Sequence, residues 1–461
     1  MSNIKPSLAK GTRDFSPSEM VKRNYIFDTI KTVFKKYGYA EIQTPSMENL
    51  TTLTGKYGDE GDKLIFKILN SGDFLSKVRP DLLTQGNANS LTPVISEKAL
   101  RYDLTVPFAR YVVMHQNDIS LPFKRYQVQP VWRADRPQKG RYREFYQCDV
   151  DVVGSESLLN EAEFILIYQE ALSNLGLKDF TIKINNRKIL SGIAEIVGKP
   201  ELIVDMTVAI DKIDKIGLDG VVKELLERGF SDEDISCLKP VILLEGSNEQ
   251  KLDSLKAVLA KSSVGLSGIA EIEQVFAYVN ELLKGGLGTQ PNVEVDITLA
   301  RGLNYYTGCI FEVKSNEVAM GSIGGGGRYD DLTGMFGLKG LTGVGISFGA
   351  DRIYDVMEEL GVFPASAAAG TKVLISNFDE HAERYALPIL HQIRNADIAA
   401  ELYPTSAKLK KQMSYADAKS IPYVILIGSD EMQSELLTLK DMHSGTQQKL
   451  SANEIIEFLK G

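Results

Sequence analysis

The sequence predicts a mixed α/β protein of several domains, and three stretches of the 461-residue chain carry that prediction. Residues 124–153 alternate polar and apolar side chains, as two antiparallel strands joined by a turn would. Residues 187–285 repeat apolar side chains at helical spacing. Beyond residue 371, strand-like runs alternate with helix-like runs, the first of which is a helix over 379–396 capped by Asp379. Such alternation is typical of a parallel sheet covered by helices. We therefore expect an antiparallel strand pair on a sheet, a helical segment that is either an inserted domain or a helical cover of the core, and a small C-terminal parallel α/β domain.

Composition and charge exclude several classes of protein. The chain is 43% hydrophobic and 25% charged, as ordinary globular proteins are. No apolar run reaches membrane-spanning length, and the N-terminus lacks the apolar core of a signal peptide. The three cysteines and four histidines are scattered without metal-ligand spacing, so we expect a cytoplasmic protein with no zinc site and no membrane contact. The net charge of −9 argues against general coating of nucleic acid but allows a specific RNA partner at local basic patches.

The N-terminal region predicts a helix, a broken strand and a loop. Residues 18–37 carry an apolar stripe that includes Ile26 and Ile30, and the following glycine ends the helix. A short strand follows and is broken at Pro45. Residues 69–98 are rich in Gly, Asn, Ser and Pro, which predicts a loop or small insertion, to which we assign no function.

The predicted hairpin has a polar face on each strand. Its strands run over about Lys124–Arg133 and Arg143–Val153, and the turn segment between them holds five basic residues. On the return strand, Arg143, Phe145, Gln147, Asp149 and Asp151 share one face. Arginines match phosphate or carboxylate, an aromatic ring stacks on a flat ring, and a carboxylate accepts from N–H groups. By themselves these residues leave two alternatives open, a site for an anion beside a polar small molecule and an exposed basic hairpin.

Four other segments offer candidate site residues with simpler alternatives. Asp103 and Thr105 precede a helix expected near Val106, and Thr105 alone would also serve as its N-cap. Residues 292–313 predict a strand, a sharp turn and a strand. The run GSIGGGGRYDD predicts a glycine-rich turn without phosphate-loop spacing. Arg352 falls in the first turn of a helix that follows a buried strand, where it would favour an anion or pair with Asp355 or Glu359.

The quoted segments together resemble one family. WRADRPQKGRYREFYQCDVD resembles motif 2 of class II aminoacyl-tRNA synthetases in the form found in histidyl-tRNA synthetases, with Arg133 at the invariant arginine of that motif. YAEIQTPSME and GVGISFGADRIYDVMEEL resemble motifs 1 and 3, and LARGLNYYTGCIFE resembles the histidine-specific motif of the family. The resemblance covers nearly the whole chain. It departs from the family at Asn304, where aspartate is usual, while at Asp103 many bacterial members carry glutamate.

The resemblance implies a fold, a reaction and partners. The fold is the class II antiparallel sheet flanked by helices, with a catalytic core over 1–186 and 286–362, a helical insertion over 187–285 and an anticodon-binding domain over 371–461. The reaction joins L-histidine to ATP, with Mg²⁺, to give histidyl-adenylate and pyrophosphate, and then transfers histidine to the 3′-terminal adenosine of tRNA(His). The resemblance also implies a homodimer formed through motif 1, and no metal site built from protein residues alone.

The resemblance implies roles for the residues at the ATP site. Arg133 and Arg301 would flank the α-phosphate as the catalytic pair. Arg141 and Arg352 would hold the β- and γ-phosphates with Mg²⁺. Phe145 would stack on adenine.

It also implies a set of residues for histidine. These are Asp103, Thr105, Gln147, Asp151, Arg301, Tyr305 and Tyr306. Asp103 and Thr105 would bind the α-amino group, and Gln147 the amino or carboxylate group. Asp151 and Tyr306 would read the two imidazole nitrogens.

Two alternatives from other classes remain to be compared. One is a non-catalytic, histidine-sensing regulatory subunit of ATP phosphoribosyltransferase, a binding protein with the same fold. The anticodon-like region and the three arginines Arg133, Arg301 and Arg352 argue against it. The other is a class II synthetase for another amino acid such as proline or threonine, against which the motif LARGLNYYTG argues.

Overall fold

The structure of the protein is a computed structural model, and it divides into two compact units. The described residues are 5–286, 289–300, 305–364, 367 and 370–460. One unit comprises Met1–Arg13 and Ile26–Phe363, and the other comprises Asp14–Tyr25 and Pro364–Gly461. Arg301 and Asn304, both singled out above, lie outside the described residues.

The elements agree with the predicted mixed α/β class. The strands are β1 (Ala40–Glu41), β2 (Met47–Asn49), β3 (Lys67–Ile68), β4 (Lys98–Leu100), β5 (Phe123–Trp132), β6 (Glu144–Val153), β7 (Phe180–Asn186), β8 (Val293–Val295), β9 (Cys309–Ser315), β10 (Gly324–Tyr329), β11 (Gly343–Gly349), β12 (Val373–Ile375), β13 (Ala400–Leu402), β14 (Tyr423–Leu426), β15 (Leu437–Asp441) and β16 (Gln447–Leu450). The helices are α1 (Pro17–Lys36), α2 (Leu50–Leu53), α3 (Gly58–Lys63), α4 (Pro80–Gln85), α5 (Ala88–Ile95), α6 (Thr105–Met114), α7 (Leu159–Asn174), α8 (Arg187–Ile196), α9 (Ile203–Ile210), α10 (Ile213–Glu227), α11 (Asp232–Ile242), α12 (Asn248–Val258), α13 (Ser263–Leu283), α14 (Ala350–Leu360), α15 (Glu380–Asn395), α16 (Leu409–Ala418), α17 (Ser429–Ser434) and α18 (Ala452–Lys460), with short 3-10 helices at Pro200–Leu202 and Leu332–Phe336. No helix among these described residues is long and apolar enough to cross a membrane.

An eight-stranded sheet forms the centre of the larger unit. Its order is β1-β5-β6-β11-β10-β9-β7-β8. The edge pairs β1–β5 and β7–β8 are parallel, and the neighbouring pairs between them are antiparallel. The long pair β5 and β6 is the predicted hairpin, with ends within one residue of the expected bounds. This sheet confirms the predicted antiparallel core.

Helix α1 covers one part of this sheet with the predicted apolar stripe. Ile26, Ile30 and Phe34 recur every four residues and are buried. The Phe34 ring lies 5.5 Å from the ring of Tyr126 on β5 and 5.8 Å from that of Phe348 on β11, measured between centroids. Tilted aromatic pairs of this kind add to the free energy gained from burial.

Two loop predictions were wrong. The glycine run is not a turn but strand β10, paired on both sides in the middle of the sheet. For residues 69–98 the loop alternative was wrong, because they contain helices α4 and α5, while the alternative of a small insertion stays a prediction. Helix α4 starts with Pro80, and Asn87 caps α5 by accepting from the amides of Asn89 and Ser90. Local helix-start signals therefore outweighed a composition that is typical of loops.

We expect Gly326→Ala to destabilise the larger unit. A Cβ at this position on β10 would lie 2.2 Å from the carbonyl oxygen of Gly345 and 2.6 Å from Cα of Ile346, both backbone atoms. Relieving that overlap should lower the free energy of unfolding by about 1–3 kcal/mol. Urea unfolding measures the loss. Gly285→Ala, at an exposed position with its nearest contact at 3.3 Å, is the control and should change little. An equal loss of stability in both variants would contradict the explanation that backbone overlap requires glycine at position 326.

Helices α8–α13 occupy the region predicted to be a helical insertion. From the predicted stripe of α13, Ile272, Val275 and Val279 are buried, whereas Leu282 is 36% exposed. Asn186 and Lys188, at the start of α8, both bond Glu271 of α13, which ties the two helices together. That these helices form a separate domain over 187–285 stays a prediction.

The C-terminal unit contains a five-stranded sheet that is only partly parallel. The order is β13-β12-β14-β15-β16. Strand β12 is parallel to both β13 and β14, as predicted, but β15 and β16 add two antiparallel strands that were not predicted. The predicted cap of α15 is confirmed, because Asp379 accepts from the amide of Ala382 at 2.9 Å.

Candidate active site

A cavity of about 410 Å³ in the larger unit brings the predicted site residues together. Ten of the eleven line it: Asp103, Thr105, Arg133, Arg141, Phe145, Gln147, Asp151, Tyr305, Tyr306 and Arg352. The eleventh, Arg301, lies outside the described residues. The ten come from segments that are far apart in the chain, so their convergence is a property of the tertiary structure.

Neighbouring strands of the central sheet line the cavity. One of them carries long polar side chains, and two others are rich in glycine, which has no side chain. Strand β6 contributes its polar face, and the glycine-rich strands β10 and β11 lie beside it. Gly345 of β11 stands opposite Asp151, and a Cβ there would lie 2.0 Å from Oδ1 of Asp151. The missing side chain leaves room for the carboxylate that the hairpin pattern predicted.

Arg133 reaches the cavity from the residue just after β5 and is fixed by neighbours that leave its charge unneutralised. Its Nε donates to the carbonyl oxygen of Tyr102 at 3.1 Å. Its guanidinium lies 4.2 Å from the centroid of the Tyr102 ring and 5.3 Å from that of Phe145. A planar cation held between aromatic rings keeps its remaining donors for a ligand.

Arg352 is held by backbone carbonyls and not by the acidic residues of its own helix. Nε donates to Gly140 and a terminal nitrogen donates to Ser322, both at 2.6 Å. The alternative in which it pairs with Asp355 or Glu359 is wrong, since those carboxylates accept from Tyr142 and Lys139.

Three arginines line the same cavity and repel one another. Burial lowers the pKa of Arg352, and the charges of Arg141 and Arg133 lower it further. Arg141 is 45% exposed, and its nearest carboxylate, Asp135, is 3.9 Å away. A bound polyanion would relieve this repulsion, so this end of the cavity suits phosphate groups.

Asp103 is a carboxylate that lines the same cavity. It is buried, and its Oδ1 accepts from the Tyr57 hydroxyl at 2.9 Å and the Val106 amide at 3.2 Å. Its Oδ2 accepts from the Tyr305 hydroxyl at 3.1 Å. Burial raises the pKa of Asp103, and these donors together with Arg133 oppose the rise. Thr105 is the first residue of α6 and not its N-cap, which is Leu104, so the simpler alternative for Thr105 is wrong. Asp103 accepts from the Val106 amide in the first turn of this helix.

Asp151 lies deep in the cavity, where it forms a buried ion pair. Its Oδ2 is 2.7 Å from a terminal nitrogen of Arg125, whose side chain is fully buried, and its Oδ1 accepts from the Tyr329 hydroxyl at 2.7 Å. Burial raises the pKa of Asp151, and Arg125 and Tyr329 oppose the rise. Oδ1 is therefore hydrogen-bonded within the protein, while Oδ2 is paired with the charge of Arg125 but receives no hydrogen bond from the described residues.

The sequence interpretation did not assign several residues that line the cavity. These are Asp149, Glu312, Tyr329, Ser347 and Asp351. Period-two alternation already placed Asp149 on the face of Gln147 and Asp151, so a signal for it existed. Ser347 gave no such signal, because its contact with Gln147 (2.9 Å) depends on the pairing of β6 with β11.

Comparisons with known proteins agree with this site. A family model described as "Histidyl-tRNA synthetase" matches residues 11–86 and 96–353, and one described as "Anticodon binding domain" matches 372–461. The chain is 58% identical over 456 residues to a "Histidine--tRNA ligase" of Phocaeicola vulgatus, with 99% of each chain covered. It is similar to a crystal structure of histidyl-tRNA synthetase from Nostoc sp. PCC 7120, with a TM-score of 0.83, 31% identity and 99% of each chain covered.

A further structure bears on the regulatory alternative. A Bacillus halodurans structure, described as an ATP phosphoribosyltransferase regulatory subunit/histidyl-tRNA synthetase, has a TM-score of 0.70 at 21% identity and covers 93% of this chain and 99% of its own. That likeness shows the shared fold alone. The 58% identity to a ligase extends over the full length, so the ligase alternative is favoured over the regulatory one. The cavity and the full-length matches together show that the chain belongs to the histidyl-tRNA synthetase family.

Proposed function

We propose that the described cavity is where this chain joins L-histidine to ATP before transferring histidine to tRNA(His). One observation carries the proposal: ten residues that the family resemblance assigned to two substrates line a single cavity. Arginine side chains and buried carboxylates both line it. A triphosphate needs cations, and an amino acid with an ammonium group needs carboxylates.

The proposed ATP site consists of the arginines and Phe145. Arg133 and Arg301 neutralise charge that develops at the α-phosphate, Arg141 and Arg352 hold the outer phosphates, and Phe145 stacks on adenine. Arg352 suits its role because its two backbone bonds fix the guanidinium while leaving its charge unpaired among the described residues. The place of Arg301 rests on the family motif.

Mg²⁺ fits this site as a companion of ATP. Within the described part of the chain, no group of three His, Cys, Asp or Glu residues could hold a metal by itself. Mg²⁺ commonly takes only one or two protein carboxylates beside substrate phosphates, and Glu312 lines the cavity as a carboxylate of that kind. When bound, the ion would neutralise charge on the phosphate oxygens.

The proposed histidine site consists of the acidic and amide groups at the other end. Asp103 and Thr105 bind the α-amino group, and Gln147 binds the amino or carboxylate group. Asp151 and Tyr306 contact the imidazole nitrogens. The Tyr305 hydroxyl bonds Asp103, so Tyr305 acts at least partly by fixing that carboxylate.

The chemistry then needs positioning and charge neutralisation. A carboxylate oxygen of histidine attacks the α-phosphorus, the bond from that phosphorus to the bridging oxygen breaks, and pyrophosphate leaves with the electron pair. A ribose hydroxyl of the terminal adenosine of tRNA next attacks the carbonyl carbon, and AMP leaves. Preorganised cations at the developing negative charge lower such barriers without a protein nucleophile.

The other partners follow from the family. We propose that residues 187–285 contact the acceptor arm of tRNA and that 371–461 contact its anticodon. Motif 1 supports a homodimer, which light scattering of the purified protein would test. The three cysteines Cys148, Cys237 and Cys309 are free, which supports the reducing cytoplasm as the compartment.

Amino-acid-dependent ATP–pyrophosphate exchange tests the function directly. Each of the twenty amino acids is supplied separately to the purified protein without tRNA, and we expect exchange with histidine alone. We expect Arg301→Ala to lose exchange, because Arg301 belongs to the proposed catalytic pair. Histidine binding without exchange in the unsubstituted protein would support the regulatory alternative, and exchange with another amino acid would overturn the assignment of the pocket.

A further inference from the structure

Asp149 is a buried carboxylate in the cavity that the proposed roles leave unused. It lies on β6 between Gln147 and Asp151 on the same face, and its side chain is only 3% exposed. Buried carboxylates are kept where they are paired, where they bind something or where they are protonated. The contacts of Asp149 distinguish these cases.

The protein satisfies Asp149 incompletely. The Ser347 hydroxyl, from the residue paired with it on β11, bonds the carboxylate. Its Oδ1 is buried and receives no hydrogen bond from any residue that the structure describes. A buried polar atom left in that state destabilises the folded protein, unless a ligand or water meets it.

Asp151, two residues along, differs from Asp149 in having a close ion pair. Arg125 and Tyr329 already engage its two oxygens. Oδ2 of Asp151 and Oδ1 of Asp149 both lack a hydrogen-bond donor within the described residues, but Oδ2 of Asp151 is 2.7 Å from the Arg125 guanidinium, whereas no ion pair is formed by Oδ1 of Asp149 there. The family motif gives Asp149 no role.

The charges around Asp149 favour a donor ligand. Arg125 is the cation that acts on it, while Asp151 and Asp103 are the carboxylates that repel it. Arg125 acts on both carboxylates of β6 and lies 2.7 Å from Oδ2 of Asp151. Two guanidinium groups, Arg125 beside Asp149 and Asp151 and Arg133 acting on Asp103, face three carboxylates. The region is therefore short of positive charge, which an ammonium or a polarised N–H group would supply.

We propose that Asp149 is a further substrate-binding residue, whose carboxylate accepts a hydrogen bond from an N–H group of the bound histidine. This inference rests on the proposed function, because the ligand is the amino acid that the enzyme activates. The pocket then presents two carboxylates of β6 to the substrate. An amino acid without a matching N–H group would leave Asp149 unpaired, which adds to discrimination against apolar amino acids.

The titration of Asp149 supports the same assignment. Burial raises its pKa, Asp151 raises it further and Arg125 opposes both, which together place it at about 7. The ordinary aspartate value is near 3.8, so the folded state binds more protons than the unfolded state between about pH 4 and pH 7. The free energy of unfolding therefore falls as the pH rises through this window. At pH 8 an ionised Asp149 lowers the stability of the ligand-free protein.

The test measures KM for histidine and for ATP in pyrophosphate exchange, with Asp149→Asn and Asp149→Ala. The asparagine variant keeps the shape and removes the charge, so it remains informative where the alanine variant does not fold. We expect KM for histidine to rise roughly 10- to 100-fold in both, with KM for ATP unchanged, as for a lost hydrogen bond to a charged group. Histidinol lacks the carboxylate of histidine. Its affinity, measured by calorimetry, should be lower by the same factor in the two Asp149 variants than in the unsubstituted protein.

Glu161→Gln is the matched control. Glu161 is a fully buried carboxylate on α7 that pairs with Arg328 and does not line the cavity, so its loss should lower stability and leave KM for histidine unchanged. Thermal unfolding at pH 8 adds a second readout, since Asp149→Asn should be at least as stable as the unsubstituted protein. A purely structural Asp149 would give lower stability with an unchanged KM.

The outcomes separate this inference from the proposed function. Absence of histidine-dependent exchange in the unsubstituted protein would reject the function itself. Normal exchange with an unchanged KM for histidine in Asp149→Asn would reject only the role of Asp149. An equal rise in KM for histidine and for ATP would also reject it, because that result indicates a general disturbance of the sheet.

Discussion

Replacing Arg133 with alanine should lower kcat of histidine-dependent pyrophosphate exchange by about 10²- to 10³-fold, the usual effect of removing one preorganised donor from developing charge. The guanidinium is fixed by the carbonyl of Tyr102 and by the rings of Tyr102 and Phe145, so it needs little rearrangement to meet a phosphate. If Arg133 contacted ATP equally in the ground state and in the transition state, losing that contact would instead raise KM for ATP. Steady-state kinetics separate the two effects.

Two variants make this test specific. Lys139→Ala removes a positive charge from the same turn, but Lys139 is exposed, pairs with Glu359 and does not line the cavity, so kcat should stay near the unsubstituted value. Arg133→Lys keeps the charge and loses the planar fork, and we expect it to recover only part of the rate. An equal loss from Lys139→Ala would mean that general charge, and not the position of Arg133, determines the rate.

Asp103→Asn should raise KM for histidine by about 100-fold while leaving KM for ATP within a factor of about two, since a charged partner of the ammonium group is lost. Asparagine keeps an oxygen that can accept from the Val106 amide, so that bond in the first turn of α6 should survive. The hydroxyls of Tyr57 and Tyr305, which both donate to the carboxylate, would meet a weaker acceptor. Exchange kinetics with each substrate varied in turn measure the effect.

Asp103→Glu is the matched comparison. It restores the charge at the cost of an extra methylene in a buried site, and many bacterial members of the family carry glutamate here. KM for histidine should therefore be lower in the glutamate variant than in the asparagine variant. Equal values in the two would show that the shape of the site, and not the charge of Asp103, binds the amino acid.

Much of the fold and of the site was determined by local patterns in the sequence. Period-two alternation fixed β5 and β6 to within one residue and placed Gln147, Asp149 and Asp151 on one face, because side chains of a strand alternate regardless of context. Asp379 marked the start of α15, because its side chain caps the first turn locally. The family motifs named ten described residues that do line one cavity.

The tertiary structure decided what depends on neighbours distant in the chain. The glycine run became a strand and not a turn, because it pairs with β9 on one side and β11 on the other, and β11 approaches Gly326 too closely for a side chain. The backbone carbonyls of Gly140 and Ser322, and not Asp355 or Glu359, hold Arg352. Arg125 and Tyr329 engage Asp151, while Oδ1 of Asp149 receives no donor from the described residues. A sequence pattern states which face a side chain takes, but the pairing of strands and the burial of charge decide which partner it meets there.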